Sequence, residues 1–265
     1  MSAPLAACLA TLGFAGAFVA CLLGIGGAIL MIPLLLYVPA GLGLGGLDMK
    51  VVSALTMVQV FFAAATGAIA HGVRGSVQRE LAVSAGAAAA MGSLIGGISS
   101  RWVSSWGLLL TFALMASMGA GLLWASPVER EADGSAKLDG LSLSRPAAAA
   151  VGLAVGIMAG LVGAGGAFLL IPLLITVLKV PTRIAIGSSL AITIWAAATG
   201  FLGKLVTAQI PFGPAVALVL GSLPGAALGE WASHRTRVRT LRGLLTILIA
   251  LVAIRIWIDV ILAFR

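Results

Sequence analysis

The chain has 265 residues, of which 61% are hydrophobic and only 9% charged, with a mean hydropathy of +1.17 and a formal net charge of +8. A soluble domain carries roughly 25% charged residues, so too few polar groups remain here to cover a water-facing surface. The composition excludes a soluble enzyme and makes the bilayer the solvent for most of the chain. It does not point to a nucleic-acid partner either: the positive charge sits in short loops between apolar runs, as the positive-inside rule requires.

Crossing a hydrocarbon core of ~30 Å takes ~20 apolar residues at ~1.5 Å each. In chain order the apolar runs are 3–39, 51–70, 81–100, 106–124, 146–178, 184–203, 212–229 and 244–262. The first carries no Lys or Arg before its apolar stretch, so it lacks the basic region of a cleavable leader and residues 3–23 are expected to form a retained first helix. Cys8 and Cys21 fall in that helix, about 20 Å apart by helical rise, too far to bridge one another. They are expected to be small packing residues. The fold class is an all-α, polytopic transmembrane bundle of about eight to ten helices.

The segment SPVEREADGSAKLDGLSLSR (126–145) is polar and lies near the middle of the chain. The flanking halves, 1–125 and 146–265, resemble each other. GIGGAILMIPLLL (24–36) recurs as GAGGAFLLIPLLI (163–175), FFAAATG (61–67) as IWAAATG (194–200), and GSLIGGISSRW (92–102) as GSLPGAALGEW (221–231). Three matches in the same order indicate internal duplication, a common plan among secondary transporters.

Runs 3–39 and 146–178 are too long for one crossing, and each holds a G-x-G-G stretch with a proline six residues on. Glycine unwinds a helix, and proline removes a later intrahelical bond. Residues 24–27 and 163–166 are therefore expected to interrupt their helices. If each run crosses straight through, the halves are parallel and the basic residues divide almost evenly between the two sides. If each folds back, the halves are inverted. One side then collects Arg74, Arg79, Arg130, Lys137, Arg145, Lys179, Arg183 and the arginines of 235–242, leaving Lys50, Arg101, Lys204 and Arg265 opposite. The positive-inside rule favours the inverted arrangement. That arrangement requires 167–178 to be a short or re-entrant element.

A helix beginning after such a break presents free N–H groups and the positive end of its dipole, an anion site without a buried charge. The candidate substrate-binding residues are Gly24, Gly26, Gly27, Gly163, Gly165 and Gly166, joined by Thr56, Gln59, Ser188, Ser189 and Thr193 of the second repeated element. Against this stand close helix packing through glycine and hydroxyls bonded to their own i−4 carbonyls. His71 and Lys204 hold equivalent positions near helix ends and are read as snorkelling side chains or as cations at the mouth of a pathway. Arg255 and Asp259, four apart in the last run, are expected to pair. The sequence contains no metal-ligand cluster, no nucleophile–base arrangement, no cofactor motif and no GxxxxGK[ST] loop, so neither an enzyme nor direct ATP drive is expected.

The chain is similar to the sulfite exporter TauE/SafE family, also called the toluene-sulfonate uptake permease superfamily. The resemblance is carried by the two glycine-rich repeats with AHGVRGSV (70–77), AIGSSLAIT (185–193) and SLPGAALGEW (222–231). It implies a multi-pass secondary transporter of sulfite, sulfonates or related small anions in a bacterial inner membrane. The family tends to carry paired hydroxyls in the second element; here the second half keeps Ser188–Ser189, whereas the first half has Leu55–Thr56. The expected partners are a small anionic substrate and the lipid bilayer, with a homodimer left open.

Overall fold

The computed structural model describes residues 2–23, 28–73, 78–125, 144–235 and 238–262. These form ten helices: α1 (Ala3–Leu23), α2 (Ala28–Gly41), α3 (Met49–Val73), α4 (Arg79–Ser99), α5 (Ser105–Ala125), α6 (Arg145–Val162), α7 (Ala167–Thr176), α8 (Thr182–Val206), α9 (Phe212–Arg235) and α10 (Val238–Leu262). Seven are long and apolar enough to cross a membrane. The protein is thus a multi-pass helical membrane protein. Among the described residues no strand occurs. Residues 126–143 of the central polar segment lie outside them, and α6 begins directly after it. Ser144 caps α6 by accepting from Ala147 N, with Pro146 in the first turn, where its missing N–H costs nothing.

Glycine seams hold the bundle together. A Cβ on Gly152, Gly156 or Gly160 of α6 would strike the carbonyl oxygens of Ala85, Ala89 and Ser93 of α4 in turn. Gly221, Gly225 and Gly229 of α9 meet Ala10, Phe14 and Phe18 of α1 in the same way. Lipid tails are as apolar as leucine, so close backbone approach substitutes here for a hydrophobic drive. The third repeated element, GSL-x-G, therefore builds helix seams in both of its copies.

The seams also fix direction. In each, residue numbers rise together, so α4 runs parallel to α6 and α1 parallel to α9. Helices α3 and α8 run antiparallel: Ser53 meets Lys204, and Met57 meets Gly200. The Arg145–Glu80 ion pair, 2.9 Å, puts the starts of α4 and α6 at one end. Lys50 Nζ donates to Arg101 O at 3.1 Å at the other end. Lys204 bonds Ser100, beside Arg101, so Lys204 lies at the Lys50/Arg101 end. That placement agrees with the folded-back arrangement and not with straight crossings. Helix α7, ten residues and so about 15 Å long, is the short return element, spanning only about half the hydrocarbon core.

The core is continuous across the bundle, centred on Leu55, Met57, Phe112, Phe168, Leu169 and Ile171. Outward-facing Val83, Met91, Val216, Leu220 and Leu251 present apolar surface to lipid. Trp102, Trp124 and Trp231 are exposed near helix ends, where aromatic belts sit.

Candidate functional site

The break between α6 and α7 is the best-defined feature of the interior. Helix α6 ends on Gly163 in the left-handed region at φ +80°, with its N–H on Ala159 O at 2.8 Å. Gly165 and Gly166 also have positive φ, +61° and +83°, and α7 starts after Gly166 with no side-chain cap. Two constraints select glycine at Gly163 and Gly165. An L-residue in this region costs roughly 1–2 kcal/mol. The space is also filled: a Cβ on Gly163 would press into the Ser53 backbone, and one on Gly165 would come within 3.0 Å of Thr193 Cγ2. Apart from the first turn of α7, whose Leu169 and Leu170 N–H groups fold back onto Gly166 O, this end of the helix faces α3 and α8.

Thr193 belongs to this site. It is wholly buried, its methyl abuts Gly165, and its hydroxyl has no hydrogen-bond partner. An unpartnered buried hydroxyl costs about 1–3 kcal/mol, so packing alone does not account for a threonine here. Gln59 is likewise wholly buried, with both amide atoms unpartnered. It sits four residues before Ala63 on α3, whose carbonyl accepts from Cys21 Sγ of α1. Gly24, Gly26 and Gly27 lie outside the described residues, as does the side chain of His71.

The remaining candidates are placed differently. The Thr56 hydroxyl donates to Val52 O, four residues back, at 2.8 Å, so its proton is committed within its own helix. Ser188 accepts from the Gln78 backbone N–H at 3.0 Å, at the start of α4. Ser189 is buried and engaged. Arg255 pairs with Asp259 as expected, and its guanidinium also lies 4.2 Å over the Tyr37 ring of α2, tying α10 to α2.

Lys204 requires a correction. It neither snorkels nor lines a mouth: its side chain is fully buried. Nζ donates to Ser53 Oγ at 2.9 Å, Ser100 Oγ at 2.9 Å and Leu161 O at 3.4 Å. Side chains on a helix lean toward its N-terminus, so a lysine near the end of α8 reaches back into the bundle and not out to water. Ser100 falls inside the repeated stretch 92–102 but is matched by Gly229 in the second copy, and Gln209 lies in no repeated element, so neither hydrogen-bonding side chain of this network was marked by the repeats.

A buried cation, a broken helix and unpartnered polar groups inside an apolar bundle are the marks of a transport protein. The family model for sulfite exporter TauE/SafE matches residues 9–256. The chain belongs to this family. Similar proteins include a probable membrane transporter protein of Xylella fastidiosa (strain 9a5c), 29% identical over 94% of this chain and 96% of that protein. Another is the probable membrane transporter protein YunE of Bacillus subtilis (strain 168), 22% identical over 92% and 94% respectively. No solved structure matches the chain. Membership extends over α1 to α10, so the whole bundle, and not one helical hairpin, is the family's unit.

Proposed function

We propose that this TauE/SafE protein is a secondary transporter that moves small sulfur-containing anions, sulfite or an organosulfonate, across the bacterial inner membrane. The observation that carries the anion reading is the start of α7. An uncapped helix begins inside the bundle at Gly166, beside the unpartnered hydroxyl of Thr193. Free N–H groups and a helix dipole attract negative charge there. The choice of a sulfur oxyanion is supported by the family's description as sulfite exporters.

Two homologous halves of opposite orientation are part of this reading. Its support is the three collinear sequence matches together with helix directions that put α1 antiparallel to α6, each with its own partner across the bundle. The substrate would bind where the two broken helices approach α3 and α8.

The test is flux into proteoliposomes containing the purified full-length chain, with labelled sulfite, methanesulfonate and ethanesulfonate as substrates and potassium with valinomycin to set the potential. Saturable uptake of one of the anions, absent from empty vesicles, is the expected result. No flux of any anion at either polarity would overturn the reading in favour of a membrane protein that does not transport.

A further inference from the structure

We propose that the Lys204 ammonium is the fixed counter-charge of the transported anion, and that it makes the site at the α6–α7 break select anions over neutral molecules of the same shape. This deepens the transport reading and rests on it.

The heavy-atom geometry around Nζ suits its charged form. Ser53 Oγ gives its proton to Leu161 O at 3.1 Å. Ser100 Oγ has Gly97 O at 2.7 Å and Gln209 Oε1 at 2.9 Å as acceptors. Each hydroxyl has another acceptor for its proton, which leaves lone pairs on Ser53, Ser100 and Leu161 to meet Nζ. Three acceptors around one nitrogen suit an ammonium, which has three donors and no lone pair.

No carboxylate compensates that charge among the described residues. Asp48, next to the start of α3, accepts from Ser105 Oγ at 2.8 Å and from the Lys50 backbone N–H at 3.3 Å. Lys50 and Arg101, at the same end, are cations, and Lys50 is spent on Arg101 O. On α4 and α6 the nearest opposite-sign pair, Glu80 with Arg145, is at the far end. A buried ion without a partner carries an effective penalty of several kcal/mol, and in a membrane such a residue is by default functional.

The cation adjoins the break. Leu161, which accepts from Nζ, is two residues before Gly163, and Ser53, its other partner, is the residue whose backbone closes over Gly163. The ammonium thus adjoins the Gly163 side of the break, and the Thr193 methyl adjoins it at Gly165, two residues on. A structural cross-link would use the ammonium's three hydrogen bonds and be indifferent to an anion. An anion site needs the charge.

The experiment uses the full-length protein in detergent and reads ligand-dependent thermal stabilisation for sulfite, methanesulfonate and the neutral isostere dimethyl sulfone. Wild type should respond to the anions and not to the sulfone. Lys204→Arg should keep the response. Lys204→Gln and Lys204→Met should remain folded, because Ser53 and Ser100 keep their other acceptors, yet bind the anions about 100-fold more weakly, as loss of a desolvated charge partner predicts. Folded neutral variants with wild-type anion affinity would overturn the proposal. So would failure of both neutral variants to fold, since the charge would then serve the fold. A wild-type protein that neither binds nor transports any anion would instead overturn the transport reading itself.

Discussion

Replacing Gly163 with alanine tests whether the break is held by backbone geometry. The added Cβ would overlap the Ser53 carbonyl oxygen and lie 2.6 Å from Ser53 C, where ordinary contact begins at 3.4 Å, so α3 and the loop must part by more than an ångström. Strain at φ +80° adds roughly 1–2 kcal/mol, and overpacking in a rigid interior typically adds about 1–3 kcal/mol. Two control positions separate these terms. Gly43 has φ +69° but open space around it, so alanine there incurs strain alone; Gly41 has ordinary φ and open space, so alanine there should be neutral. At about 2–4 °C per kcal/mol for a chain of this size, Gly163→Ala should lower Tm by roughly 5–15 °C and Gly43→Ala by roughly 2–6 °C. A maleimide dye reports the transition, because the Cys21 thiol is wholly buried in the folded protein. If Gly163→Ala melts with Gly43→Ala, the close approach of α3 is not real and the site built on it falls.

Thr193→Val keeps the shape and removes a hydroxyl that has no partner, so Tm should hold or rise while anion flux falls roughly tenfold or more; unchanged flux would remove Thr193 from the site. Asp259→Asn leaves Arg255 without its anionic partner, so folded yield should drop more than the substrate affinity of the surviving protein, and the reverse order would make this pair part of the transport cycle. With no nucleotide motif to supply energy, flux should follow a clamped membrane potential, worth ~2.3 kcal/mol per charge at 100 mV. Flux that ignores the potential, follows an imposed pH gradient and is lost in Glu230→Gln would establish proton coupling instead.

Hydropathy and charge placement in the sequence determined that this chain is a helical membrane protein, because a bilayer leaves its backbone few alternatives to helix. Local sequence also marked the α6–α7 break, since three positive-φ residues within four positions demand glycine, and it marked the Arg255–Asp259 pair through its four-residue spacing. What sequence left open was direction. Straight and folded-back crossings differ only in whether α7 continues or returns, and ten apolar residues read the same either way. Tertiary packing decided it, through the antiparallel contact of α3 with α8, which brings Lys204 to the Lys50/Arg101 end. The cation was misplaced for a related reason. In the chain Lys204 stands at the end of an apolar run, where a lysine normally reaches water. Its actual partners, Ser53, Ser100 and Leu161, come from three other helices and lie at least 43 residues away. No local pattern encodes such a meeting; it exists only once backbones close enough to lack side chains have brought α3, α4, α6 and α8 together.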